Sequence, residues 1–176
     1  MKNALILHAW YDSPSGQWYP WLKKDLESKG YKVSLPELPT MGTSNPDMEI
    51  MLKYIFENKL VDTDTVVIGH SLGSVLALRL AERVKYKKGI ILAGWDYNDL
   101  TPEHQNFWVK MTDHTKIKEN VSSWVTIISD NDPYVTKIIA HEMAARLGAK
   151  VVDVGSKGHF LAKDGVTEVR EILEFT

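Results

Sequence analysis

The sequence predicts a three-layer α/β fold with a mainly parallel, six-stranded sheet and helices on both faces. Six short apolar or β-branched runs alternate with helix-period segments along all 176 residues. Four of those runs are apolar on both faces, as strands covered above and below must be. Single helices between consecutive strands imply right-handed crossovers, and therefore parallel pairing. No repeat, low-complexity tract or composition break marks a linker, and the length suits one domain over residues 1–176.

The strand runs are Ala4–His8, Tyr31–Leu35, Thr65–Ile68, Ile90–Ala93, Trp124–Ser129 and Val151–Val154. In the second, Tyr31, Val33 and Leu35 alternate with Lys32 and Ser34, the pattern of a half-exposed strand near an edge. The first helix carries Trp18, Trp21, Leu22 and Leu26 on one face and ends at Gly30. Asn45-Pro46 reads as an N-cap with proline at N1, followed by Met48, Met51, Leu52, Ile55 and Phe56 at helical spacing. Leu72, Val75, Leu76, Leu80 and Val84 mark a third helix; Val135, Ile139, Met143 and Leu147, stopping at Gly148, mark another. Val166, Val169, Ile172 and Leu173 predict a last amphipathic helix. The connection from Gly94 to Ser123 is irregular and too short for a substantial lid, so a shallow cleft open to short substrates is expected.

Composition narrows the function classes. A net charge of −2 argues against nucleic acid or an anionic membrane surface as partner. Zero cysteines exclude a disulfide scaffold, a thiolate metal site and a cysteine nucleophile. No apolar run approaches a membrane span or a signal peptide, so cytoplasmic is the expected compartment. No G-x-G-x-x-G or Walker lysine is present to dock phosphates.

The chemistry centres on Gly69-His70-Ser71-Leu72-Gly73, a G-x-S-x-G pattern between a strand and a helix. A serine on so tight a turn has strained dihedrals and a hydroxyl pushed out at the strand's carboxyl end. Small flanking residues let the turn close, and the Leu72 N–H at the helix start would face an oxyanion beside Ser71. Such a serine needs a base and the base an orienting acid, in the chain order Ser, acid, His. Of the histidines after Ser71, His141 lies inside a helix, while His104 and His114 sit in the long connection and could at most line a pocket. His159, on the glycine-rich loop Gly155-Ser156-Lys157-Gly158-His159, is the candidate base. For the acid, Asp132 is favoured over Asp130, with Asp96 as outsider; Asp132-Pro133 also fits a helix cap, and one carboxylate can do both. The second oxyanion donor would be the N–H of Trp10 or of Ala9. His8 reads as structural, and His70 as packed behind the serine. Trp10, Tyr11 and Trp18, with Trp95, Phe107 and Trp108 from the connection, are candidate pocket aromatics, although packing alone would explain them equally.

These blocks, with Ser129-Asp130-Asn131-Asp132-Pro133-Tyr134-Val135 and Gly158-His159-Phe160, resemble those of α/β-hydrolases. His8-Ala9-Trp10 and Gln17-Trp18-Tyr19-Pro20-Trp21-Leu22 are more specifically similar to the small, lid-poor serine hydrolases grouped with retinoblastoma-binding protein 9. The resemblance spans essentially the whole chain. It implies a Ser71–His159–Asp132 hydrolase of small acyl esters, working through an acyl-enzyme without metal or organic cofactor. Where many relatives carry glycine after the first strand's histidine, this chain has Ala9. The alternative is a binding protein on the same fold with vestigial turnover, although nothing in the sequence itself indicates a protein partner.

Overall fold

A computed structural model describes residues 2–176. Its six strands are β1 (Lys2–Leu7), β2 (Tyr31–Ser34), β3 (Thr65–His70), β4 (Lys88–Leu92), β5 (Trp124–Ile128) and β6 (Lys150–Asp153). They form one sheet in the order β2-β1-β3-β4-β5-β6, and every neighbouring pair is parallel. The helices are α1 (Tyr19–Ser28), α2 (Met48–Glu57), α3 (Leu72–Ala81), α4 (His114–Asn120) and α5 (Lys137–Leu147). Edge positions go to β2 and β6, each four residues long.

Handedness decides which face each helix covers. The chain steps from β1 outward to β2, then reverses past β1 to β3 and keeps that direction to β6. Right-handed crossovers then put α1 on one face and α2 to α5 on the other. The core divides accordingly. Leu5, Leu7, Val67 and Ile91 pack with Met51, Leu76, Ile117 and Met143. Ala4, Ile6, Val66 and Ile90 pack with Leu22, Leu26, Val166 and Ile172. Alternate residues of the same strands thus serve opposite layers. The reversal leaves a crevice between the carboxyl ends of β1 and β3, where ligands bind in open α/β sheets.

Three local expectations are corrected. The N-cap of α2 is Asp47, not Asn45: its Oδ1 accepts the Ile50 N–H at 3.0 Å, while Asn45 and Pro46 stay in the loop. In α5 the cap is Thr136; Val135, just ahead of it, is buried with Met143 and Leu147 as expected, Ile139 is only partly buried, and Ala140 and Ala144 complete the stripe. The last expected α-helix is a 3₁₀ helix over Arg170–Phe175. Val166, Thr167 and Val169 are β-branched and resist helical packing, yet Val166, Val169 and Ile172 are buried as their spacing required. The long connection holds a 3₁₀ helix, Pro102–Trp108, and α4. No helix of the described residues is long and apolar enough to cross a membrane.

α3 is buried along its whole length, and its start touches the end of β1. A Cβ on Gly73 would lie 2.2 Å from the Leu7 carbonyl oxygen and 2.6 Å from that of His8. Both obstacles are backbone, so neither can rotate away. Gly73→Ala should therefore destabilise the protein by about 2 kcal/mol or more in urea denaturation. Gly42→Ala, where a Cβ meets nothing within 4 Å, should leave the midpoint unchanged.

Candidate active site

Ser71 joins β3 to α3 with φ 54° and ψ −122°, a strained conformation for a residue with a side chain. Its own N–H donates to the Leu92 carbonyl at 2.9 Å, and its carbonyl accepts the Ser74 N–H at 2.8 Å, which locks the turn to β4 and to α3. Gly69 makes the turn sterically possible: a Cβ there would fall 2.6 Å from the Gly73 oxygen and the Ser74 Cα. The hydroxyl is left at the mouth of the β1–β3 crevice.

His159 reaches it from the loop after β6. That loop is laced to the loop after β5. Lys157 N–H donates to Ser129 Oγ at 2.9 Å and Gly158 N–H to Asn131 Oδ1 at 2.7 Å. Asp164 Oδ2 accepts the His159 N–H at 2.9 Å. The imidazole Nε2 stands 2.8 Å from Ser71 Oγ, and Nδ1 lies 2.9 Å from Asp132 Oδ2 and 3.0 Å from Oδ1. A carboxylate at Nδ1 fixes the proton there, so Nε2 turns its lone pair toward the serine. Asp132 Oδ1 also accepts the N–H groups of Tyr134 (2.9 Å) and Val135 (3.0 Å), an Asx turn rather than the helix cap that Asp132-Pro133 resembles. The side chains of His159 and Asp132 are 8% and 2% exposed, which shields their contact from water. Tyr134 packs edge-to-face on His159.

The competing acids are engaged elsewhere. Asp130 pairs with Lys137. Asp96 is gripped by the Arg146 guanidinium at 2.7 and 2.8 Å and by His114 Nε2 at 2.6 Å. Although burial opposes it, those partners hold the Asp96 carboxyl below its usual range.

Backbone donors separate Ala9 from Trp10. The Ala9 N–H is spent on the Tyr19 hydroxyl at 3.0 Å. The Trp10 N–H has no acceptor among the described residues, and the Leu72 N–H opens α3 without an intrahelical one. His8 is structural: Nδ1–H donates to the Ala9 carbonyl and Nε2 accepts the Leu38 N–H, while burial lowers its pKa.

A buried network behind the serine escaped the sequence reading. His70 is inaccessible, and burial, reinforced by the neighbouring His159, lowers its pKa to about 3. Its neutral ring donates Nε2–H to the His159 carbonyl at 2.8 Å, so Nδ1 must accept. The donor is the Tyr19 hydroxyl at 2.7 Å, the same oxygen that receives the Ala9 N–H. One phenol and one imidazole thus tie together the loop after β1, the Ser71 turn and the His159 loop. His70 was visible in the motif; Tyr19 lies 51 residues away, and no local spacing connects them.

A cleft of about 860 Å³ opens over Ser71 and His159. Trp10, Tyr11 and Trp95 line it as expected, joined by His104, Tyr97 and Tyr134. Three expected pocket aromatics do not. Trp18 is wholly buried, its Nε1–H bonded to the Phe160 carbonyl at 3.1 Å, because it belongs to the packed face that leads into α1. Phe107 is core, and Trp108 lies under the Arg79 guanidinium, 5.1 Å away, facing a separate cavity. The volume is near the top of the range for small-molecule sites, about 300–1,000 Å³. One wall of the cleft is the connection, pinned upright where Asn106 bonds the Met48 N–H (2.9 Å) and the Pro46 carbonyl (2.6 Å).

A parallel sheet with a serine turn after its third strand, and an imidazole delivered from beyond its last, defines the α/β-hydrolase class. Within it, this chain belongs to the serine hydrolase family, whose family model matches residues 4–175. YdeN of Bacillus subtilis is 29% identical over 175 residues, covering 96% of this chain and 90% of YdeN. The crystal structure of that protein superposes with a TM-score of 0.88 at 26% identity, over 99% and 96% of the two chains. Rat serine hydrolase RBBP9 is 28% identical over 146 residues, 81% of this chain and 77% of its own. A carboxylesterase structure from Nitrososphaera gargenis shares the fold, with a TM-score of 0.72 at 10% identity over 99% and 88% of the chains. The protein is a hydrolase.

Two outcomes test the buried network. Tyr19→Phe strands the Ala9 N–H and His70 Nδ1, and should cost about 1–3 kcal/mol in denaturant unfolding. His70 binds its proton only near pH 3 when folded, but near 6.5 when unfolded. The unfolded state therefore holds the extra proton between those values, and stability falls as pH drops through that window. From pH 7 to pH 5 the His70 contribution to that loss should be about 2 kcal/mol, and His70→Gln should remove it.

Proposed function

We propose that the protein hydrolyses small acyl esters, with Ser71 as nucleophile, His159 as general base and acid, and Asp132 as the group that orients it. One observation carries the reading: an unbroken hydrogen-bonded series from Ser71 Oγ through both ring nitrogens of His159 to a carboxylate held by two backbone N–H groups. In the first half-reaction Ser71 Oγ attacks the ester carbonyl while His159 Nε2 takes its proton. The tetrahedral oxyanion is met by the N–H groups of Leu72 and Trp10, each worth on the order of 3 kcal/mol in comparable sites. The C–O bond to the alcohol breaks as His159 returns the proton to the leaving oxygen, and the acyl group stays on Ser71. In the second half, His159 deprotonates water, which attacks the acyl carbon, and the proton goes back to Ser71 as the acid departs. Asp132 keeps Nδ1–H in place and offsets the imidazolium charge throughout. None of these steps calls for a metal or organic cofactor.

A fluorophosphonate should form an adduct on Ser71, located by peptide mass analysis, and Ser71→Ala and His159→Ala should both abolish it. Asp132→Asn should lower kcat on a short ester by about 10⁴-fold, the cost of losing the correct tautomer in comparable triads. An adduct retained by Ser71→Ala would overturn the mechanism. A folded wild-type protein that takes no adduct would favour a binding protein on this fold.

A further inference from the structure

His159 meets two partners, Ser71 and Asp132, that stand on different elements, so its place must be set against each of them. Against the serine it is set by His70, the neighbour of Ser71 in sequence, whose Nε2–H holds the His159 carbonyl at 2.8 Å. Asp164 holds the His159 N–H at 2.9 Å, but it lies five residues on in the same loop and moves with it. Against the acid the restraint is less obvious. At their bases the loops after β5 and β6 are tied by Lys137, which pairs with both Asp130 and Asp153, and by the Asp130 N–H, which donates to the Gly155 carbonyl at 2.9 Å. Both ties stop short of the imidazole. Gly155 and Gly158 have positive φ, 68° and 54°, and Ser156 and Lys157 between them are exposed. Neither backbone stiffness nor packing therefore carries those ties forward to His159.

The remaining step is made by Asn131, next to Asp132 in the chain. Its Oδ1 accepts the Gly158 N–H at 2.7 Å and the Ser129 hydroxyl at 3.0 Å, and Ser129 Oγ in turn accepts the Lys157 N–H at 2.9 Å. Two successive amides just ahead of the base are thus gripped by the loop that bears the acid. Asn131 is exposed, so burial gives no reason for it, and it does not line the cleft. We infer that Asn131 is a positioning residue: its amide oxygen sets the register between the two loops, and with it the contact of Asp132 with His159 Nδ1. His70 fixes the base against the serine, and Asn131 fixes it against the acid. The inference deepens the ester-hydrolase reading and rests on it.

The test is a double-mutant cycle, read in kcat on 4-nitrophenyl acetate and in the rate at which Ser71 captures a fluorophosphonate. Asn131→Ala should lower both by roughly 10–100-fold, the cost of a displaced catalytic group, with KM unchanged. Asn131→Asp keeps an acceptor oxygen on the same short stem and should restore most of the rate. In the Asp132→Asn background, Asn131→Ala should change the rate by no more than about twofold, because the contact it sets is already lost. A general loosening of the fold would instead multiply the two losses. Ser129→Ala, which frees the Lys157 amide, should show the same coupling and covers the case in which Asn131→Ala does not fold. Full activity in Asn131→Ala, a rise in KM in place of the fall in kcat, or independent losses in the two backgrounds would overturn the assignment. If wild-type Ser71 takes the probe and one of these holds, the positioning role alone fails. If it takes none and no ester turns over, the reading beneath it fails as well.

Discussion

The closeness of two stretches of backbone, the last carbonyls of β1 and the first turn of α3, governs where everything else in this molecule can stand. Glycine at 73 permits it, and glycine at 69 permits the turn that precedes it. Because α3 can sink to that depth, its N-terminus lies level with the loop after β1. Ser71, at the start of α3, and Trp10, on the loop after β1, thereby come to line one cleft. The strain at Ser71, on the order of 1–3 kcal/mol for such a conformation, is carried by a helix buried along its whole length.

The same constraint explains why the rear of the site is built from neutral, hydrogen-bonded groups. His70 and His8 are inaccessible behind the serine, and a charged imidazole there would be costly. His70 and His8 are accordingly held neutral, each with one nitrogen donating and one accepting. The carboxyl groups stand on the loops instead, each among fixed donors: Asp132 under two N–H groups, and Asp96 under Arg146 and His114.

Much of this was legible in the sequence, and the division between what was and was not is physical. The strands and the Ser71 turn depend on neighbours within a few residues, so alternation and the spacing of glycines reveal them. Ser71, Asp132 and His159 could be picked out because each follows a strand end, and the structure brings the three side chains into hydrogen-bonding distance. Trp18 is the instructive miss. A tryptophan just before a helix can face the cleft or the core, and only the distant Phe160 carbonyl decides which. The connection posed the same problem. Phe107 turns inward, Trp108 goes beneath Arg79, and His104 is left in the cleft by its bond to Asp99, none of which has a periodic signature. The cap of α2 went to Asp47 because a carboxylate could reach the Ile50 N–H from there, a choice that Asn45-Pro46 obscured.

An open parallel sheet also leaves two rows of unpaired backbone, one along β2 and one along β6. Each row is only four residues long, and each carries an exposed lysine, Lys32 on one and Lys150 on the other. A second molecule approaching either edge would find few hydrogen-bonding groups to recruit, and would have to strip water from an ammonium to use them. The sheet that organises the site is thus a poor template for its own extension, a property that favours dispersed molecules over aggregates in a crowded solution.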